Sequence, residues 1–320
     1  MPRDFFCRAA ADRISASGSV ITAIQVALRK AGANDLAPDG VFGGQTQSAL
    51  NAFQNSCGLP ATGTVNDDTW TRLMGVPEPA IFTRCLQVTA SFEGTGFSHV
   101  VGNFDGAGIT WGIIGFTLLN GELGSVLGLV AKADPGLLER VFGKDEATVM
   151  QICAPATSSV QKLEWANSIS VGRTKDGIAE PWNGYFIALG EIAAVQQIEI
   201  DKARSTYWSI ALRDSSALGM TEELDFLLLF DTAVQNGGLG SKGRLQRVKD
   251  AFATQKPATA EARRSIVAQV VADTSSPTYS ADVLNRKKSI AEGAGRIHGA
   301  SYLFSDWGLL DGYSPTNPQA

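Results

Sequence analysis

The sequence predicts a mainly α-helical protein in two parts: a small three-helix module, then a larger α+β domain that is helical apart from one small β-hairpin. Three observations predict this. Apolar residues recur at helical spacing in three short segments before residue 75, separated by glycine and proline clusters. Pro77, Glu78 and Pro79 then interrupt the pattern with stiff, extended backbone. Helical periodicity resumes after them, except over 102–116, where turn residues mix with β-branched and aromatic ones. A chain of 320 residues, 44% hydrophobic and 18% charged, has ordinary globular composition and length enough for two cores.

Taken in order, Ile21, Ile24, Leu28 and Ala31 mark a first amphipathic helix over 20–31. Leu36 to Gly43 carries Pro38 and Asp39-Gly40, which supply the backbone angles of a tight turn. A second helix spans 44–57, with Thr46, Ala49, Leu50, Phe53 and Gln54 on one face, and Gly58-Leu59-Pro60 stops it. Asn66-Asp67-Asp68-Thr69 places capping residues before a third helix through Leu73. The expected organisation is an N-terminal module at 1–75, a linker at 76–80 and a second domain at 81–320. That domain opens with a helix from Ile81 to Phe92, closed by Gly94 and Gly96. After the 102–116 hairpin, helices are expected at 121–131, 135–142, 147–152, 183–212, 222–235, 243–252, 260–272 and 281–291.

Composition excludes several classes of function. A formal net charge of −5, with lysines and arginines scattered, gives no basis for nucleic-acid binding. The four cysteines form no CxxC pair and do not cluster with the two histidines, so no metal and no cofactor are expected. Residues 108–131 are apolar but contain Asn120, Glu122 and several glycines, which fits a buried hairpin and helix, and no membrane insertion is expected. Residues 1–19 lack the apolar run of a secretory signal, so synthesis in the cytoplasm is the expectation.

Two carboxyl groups stand where glycan chemistry would want them. Glu93 ends a helix beside Phe92 and Phe97, where the negative end of the helix dipole and desolvation both favour the protonated form required of a general acid. Asp105 follows 12 residues later in a glycine-rich turn, where a hydrated carboxylate would serve as base. Asp231, flanked by Leu229, Phe230, Ala233 and Val234, is expected to be buried and paired with Arg264 or Arg286.

Two stretches resemble known families. Asp39-Gly-Val-Phe-Gly43, Thr46-x-x-Ala-Leu-x-x-Phe-Gln54 and Gly58-Leu-Pro-x-Thr-Gly-x-Val-Asn66 before Thr69-Trp70 are similar to the three-helix peptidoglycan-binding domain of cell-wall hydrolases. Asp105-Gly-Ala-Gly-Ile-Thr-Trp-Gly-Ile-Ile-Gly-Phe116 resembles the catalytic segment of family 46 glycoside hydrolases, the chitosanases of the lysozyme-like superfamily. That resemblance implies a lysozyme-like fold, with Glu93 as general acid, Asp105 as general base and Thr110 placing the attacking water. Asn103 and Trp111 beside the base, and Asn236 at the end of the 222–235 helix, are the candidate substrate contacts. The segment departs from the family at Ala107 and Ile109, where an arginine and a tyrosine are usual, and the spacing from Glu93 to Asp105 is shorter than is typical.

The combined expectation is an endolysin-type muramidase, inverting in mechanism, that acts as a monomer on bacterial peptidoglycan at the cell wall. The rival readings are a chitosanase, a lytic transglycosylase and a non-catalytic wall-binding protein.

Overall fold

The computed structural model describes residues 3–76, 78–94 and 96–319; Pro77 of the expected linker lies outside the described residues. In chain order the elements begin with β1 (Asp4–Phe6), α1 (Ser19–Lys30), α2 (Gly44–Ser56), β2 (Val65–Asn66), α3 (Asp67–Met74) and α4 (Ile81–Phe92). They continue with β3 (Val100–Val101), β4 (Thr110–Trp111), β5 (Phe116–Thr117), α5 (Glu122–Ala133), α6 (Leu137–Phe142), α7 (Glu146–Cys153), α8 (Ser159–Ile169), β6 (Ser170–Val171), β7 (Gly177–Ile178), α9 (Trp182–Gly190) and α10 (Ala193–Ala203). A π-helical turn at Arg204–Trp208 leads into α11 (Ser209–Leu218), α12 (Glu223–Asn236), α13 (Arg244–Gln255), α14 (Ala260–Asp273), α15 (Ser280–Ala291), β8 (Ala294–Ile297) and β9 (Ala300–Leu303). Residues up to 92 and from 207 onward form one compact unit, and residues 93–206 form a second.

In the first unit, two buried glutamines explain the turn motifs of the three-helix module. Gln25 of α1 donates from Nε2 to Asp39 and to the Thr46 hydroxyl, and accepts from the Gly40 N–H at 2.8 Å. Gln54 of α2 does the same for the second turn, donating to the Thr64 carbonyl and the Thr69 hydroxyl and accepting from Gly63 N–H at 3.0 Å. A buried amide is stable only when its hydrogen bonds are made, so each glutamine fixes one turn against its helices. Asn66 caps α3 by accepting from Thr69 N–H, and Gly75 ends it in the left-handed conformation.

The same unit is built around α12, which is buried from Glu223 to Ala233. Helices α4, α11, α14 and α15 pack on it. Its acids are all partnered: Arg84 donates to Glu223 at 2.7 Å, Arg264 to Asp225 and Glu222, and Arg286 and Lys287 to Asp231. Of the two partners expected for Asp231, the structure selects Arg286 and adds Lys287, while Arg264 serves Asp225 one turn and a half earlier.

The second unit begins at Glu93 with the antiparallel sheet β3–β4–β5, in which Val101 pairs Thr110 and Thr110 pairs Thr117. Leu123, Val126, Leu127 and Val130 give α5 its buried stripe. Two expectations are corrected here. The helix expected over 183–212 is divided among α9, α10, the π-helical turn and α11, and the first break falls at Gly190, where a Cβ would stand 2.3 Å from the Phe97 carbonyl oxygen. A helix and a strand pair, α8 and β6–β7, occupy 159–178, where no element was expected; Ser158 and Gln161 form the capping box that starts α8. No helix among the described residues is long and apolar enough to cross a membrane.

Candidate active site

Glu93 is the first residue beyond α4, partly accessible, at the point where Gly94 (φ +88°) and Gly96 (φ +111°) turn the chain away. His99 closes over this turn: a Cβ on Gly94 would come 2.9 Å from His99 Nε2, so the glycine makes room for the imidazole. Burial lowers the His99 pKa, which favours the neutral ring next to the Glu93 turn. The His99 carbonyl accepts from Gly112 N–H at 2.9 Å and so ties the turn to the hairpin.

Asp105 is exposed at the tip of the 102–108 loop. Its Oδ1 accepts from Ala107 N–H at 3.0 Å, and Gly106 (φ +86°) completes the tight turn. No other hydrogen bond holds the carboxylate among the described residues. The loop itself is braced by Asn103, whose Oδ1 accepts from Gly108 N–H at 2.9 Å and whose Nδ2 donates to Asn167 at 3.1 Å. Asn103 N–H donates to Ser170 Oγ at 2.9 Å. Between these two residues Phe104 is 58% exposed, a large apolar ring left in solvent beside the carboxylate.

Thr110 lies on β4, its backbone paired on both sides and its side chain partly accessible, with no hydrogen bond from its hydroxyl among the described residues. Its methyl group limits the opposite turn, since a Cβ on Gly115 would lie 2.8 Å from Thr110 Cγ2. Glu93, Asn103, Asp105 and Thr110 thus belong to the same unit. Trp111 belongs to it too, but not as a substrate contact. It is 0% exposed, its Nε1 donates to the Phe186 carbonyl at 3.0 Å, and it offers no face to a sugar ring. Asn236 ends α12 in the other unit; its Nδ2 reaches Ser275 at 3.5 Å and its Oδ1 is buried with no hydrogen-bond partner among the described residues.

Sequence reasoning missed Glu199 of α10. The side chain is 0% exposed, Oε2 accepts from Ile113 N–H at 2.8 Å, and a Cβ on Gly112 would stand 2.6 Å from that oxygen. Burial pushes its pKa up to about 8, the Ile113 N–H opposing only part of the rise. Glu199 therefore sits as a neutral acid under the turn that joins β4 to β5. It also missed Phe104 and the β6–β7 hairpin, whose contacts with the 102–108 loop depend on residues far apart in the chain.

A helical domain with a short antiparallel sheet, an acid at the end of its first helix and a second acid in a glycine-rich loop defines the lysozyme-like class of architecture. Comparison with known proteins agrees. Residues 17–73 match the family described as "Putative peptidoglycan binding domain". The fold is that of the family 46 chitosanase of Gynuella sunshinyii, solved in complex with chitotetraose, at 15% identity and TM-score 0.50, covering 71% of this chain and 98% of that one. A native chitosanase from Bacillus subtilis aligns over 73% of this chain and 98% of its own, at 16% identity and TM-score 0.49. No curated protein matches the chain. A peptidoglycan-binding-type module is thus joined here to a domain with the fold of the family 46 chitosanases.

Proposed function

We propose that the protein is a glycoside hydrolase of the bacterial wall, an endolysin-type muramidase that cleaves the peptidoglycan backbone while its N-terminal module holds the wall. One observation carries the reading: a match to a peptidoglycan-binding domain over 17–73 stands in one chain with an exposed carboxylate, Asp105, braced in the loop of a chitosanase-type fold. Glu93 is the general acid that protonates the leaving oxygen, and Asp105 is the base that takes a proton from water, with the Thr110 hydroxyl, which has no hydrogen-bond partner among the described residues, orienting that water. Inversion follows from this division of labour and requires the two carboxyl groups to stand about 6.5–9.5 Å apart in the working enzyme. The module raises the effective concentration of the catalytic groups on an insoluble polymer. A surface depression of about 460 Å³ between the 32–36 loop and α2, lined by Asn34, Asp35, Gln45 and Ser48 among others, is one surface of the module open to a wall fragment.

The shared fold also favours a second reading, a chitosanase, and one experiment separates the two. Purified sacculi and soluble chitosan are digested with the wild type, Glu93→Gln and Asp105→Asn, and the fragments are identified by mass spectrometry. The muramidase reading expects muropeptides with a free reducing end from sacculi, released about 10²–10⁴-fold more slowly by either variant. Faster release from chitosan than from sacculi would make it a chitosanase. Anhydro ends, with activity surviving Asp105→Asn, would make it a lytic transglycosylase.

A further inference from the structure

The β6–β7 hairpin is joined to the Asp105 loop backbone against backbone. Gly102 N–H donates to the Asp176 carbonyl at 2.9 Å, and a Cβ on Gly102 would lie 2.3 Å from the Lys175 carbonyl oxygen and 2.7 Å from that of Gly177. Only glycine permits that approach. What the contact fixes is the backbone of the hairpin tip, which carries two exposed cations, Arg173 and Lys175. Lys175 adopts φ +59°, a backbone conformation that residues with side chains rarely take. From there its Nζ donates to Asn167 Oδ1 at 2.7 Å, the oxygen that also accepts from Asn103 Nδ2. The ammonium is therefore two hydrogen bonds away from the residue that precedes Phe104 and Asp105.

Neither cation is neutralised. Among the described residues no carboxylate lies within ion-pair distance of Arg173 or Lys175, and the acid on the same tip, Asp176, is turned onto the Thr174 hydroxyl at 2.6 Å. A loop carrying a hydrolytic carboxylate is thus flanked by an exposed apolar ring on the loop itself and by two unpaired positive charges on the hairpin stapled to it. A polycation such as chitosan would be repelled by the charges. A glycan of N-acetylated sugars, with carboxylates on its lactyl ethers or stem peptides, would be attracted to them and would present an apolar ring face to the phenyl group.

We propose that the β6–β7 hairpin carries a subsite for an anionic sugar substituent, in which Arg173 and Lys175 receive the carboxylate of an acid-bearing residue while Phe104 takes the apolar face of the ring. This rests on the reading of the protein as a glycan hydrolase and narrows it to substrates that carry carboxylates. Because the pair would form at the surface, its effect is a modest factor that falls with salt.

The test uses the full chain with Asp105→Asn, so that ligand is not consumed, and the same chain with Arg173→Gln and Lys175→Gln added. Each is titrated with peptide-free glycan strands from peptidoglycan, with the same strands after their lactyl carboxylates are converted to methylamides, and with N-acetylglucosamine oligomers of equal length. Binding by the N-terminal module is common to both chains and cancels in the comparison. The parent is expected to bind the carboxylate strands roughly three- to tenfold more tightly than the methylamides, a ratio that shrinks at high salt and falls to about one in the charge-deleted chain. Unchanged affinity of that chain for the uncharged oligomers shows that it has folded. Equal binding of both strands by the parent, or a ratio that survives loss of both cations, overturns the subsite. If the ratio holds but wild type releases nothing from sacculi, the hydrolase reading fails and the subsite stands. If sacculi are cleaved and the ratio is one, the subsite alone fails.

Discussion

A carboxyl group buried beside a peptide N–H is stabilised as the anion by one hydrogen bond and destabilised by the loss of water. At Glu199 the loss of water wins, and the pKa rises from 4.5 to about 8. The folded protein therefore keeps this proton through a range in which the unfolded chain releases it, so the unfolded state gains relative stability as pH rises from about 4.5 to 8. Glu199→Gln removes the titration while keeping an acceptor for Ile113 N–H. Its stability should fall less than that of wild type between pH 5 and pH 8, the difference read from melting curves growing to on the order of 1–4 kcal/mol at the upper end. Parallel melting curves across that window would show that Glu199 does not hold its proton. The position was legible in part: Val195, Glu199 and Ala203 form the buried stripe of α10 at four-residue spacing, but a hydrophobicity pattern registers an acid there as a gap. Trp111 was legible only in part, through its alternation with Thr110 along β4. Neighbours on a strand face opposite ways, so a partly accessible Thr110 puts Trp111 in the core, and its nearness in sequence to Thr110 had stood in for nearness in space.

Elements with a strong period were read closely. The sequence places α4 at its observed limits, and α1, α2 and α12 come within a residue or two, because their apolar stripes are regular and their ends carry glycine or capping side chains. The β6–β7 hairpin escaped for the opposite reason. Its strands have two residues each, too few to show an alternation, and what holds them is Gly102 and Asn103 from a loop some seventy positions earlier. Two glycines on one helix, α5, show how such contacts sort residues that look alike in sequence. A Cβ on Gly128 would meet nothing within 4 Å, whereas one on Gly124 would stand 2.3 Å from the Cys153 carbonyl oxygen. Gly128→Ala should stabilise the protein by about 0.5–1 kcal/mol through helix propensity alone. Gly124→Ala gains the same propensity but must push α7 away, and a net loss of roughly 1–3 kcal/mol is expected. Chemical denaturation of the two variants checks both signs, and equal shifts would mean that α5 and α7 do not make this close contact.

At the scale of the molecule, the N-terminal segment does more than match a peptidoglycan-binding family over 17–73. Strand β1 pairs with β2, while Phe5 and Phe6 are buried at 0% and 1% exposure. Arg3 pairs with Glu78 and with Glu223 of the central helix α12, which Arg84 also reaches. Arg13 donates to Asp306 at 2.8 Å, Ile14 N–H donates to the Ser301 carbonyl at 2.9 Å, and a Cβ on Gly308 would stand 2.3 Å from the Phe5 carbonyl oxygen. Glu78 and Pro79, which read in sequence as a spacer, accept hydrogen bonds from Arg3 and Arg84. A module tethered by a spacer can be cut away at the cost of wall affinity alone. Removing residues 1–75 from this chain would also take two phenylalanines from a core, at about 1.5–3 kcal/mol each, and one of the two cations on a buried Glu223. The truncated chain 76–320 should therefore melt well below the full chain and be digested quickly by protease. It should also lose turnover on a soluble glycan, a substrate for which wall binding gives no advantage. A truncated chain with the melting temperature of the full one, impaired only on insoluble sacculi, would establish the module as a detachable anchor, with the contacts of Arg3, Phe5 and Arg13 adding no stability.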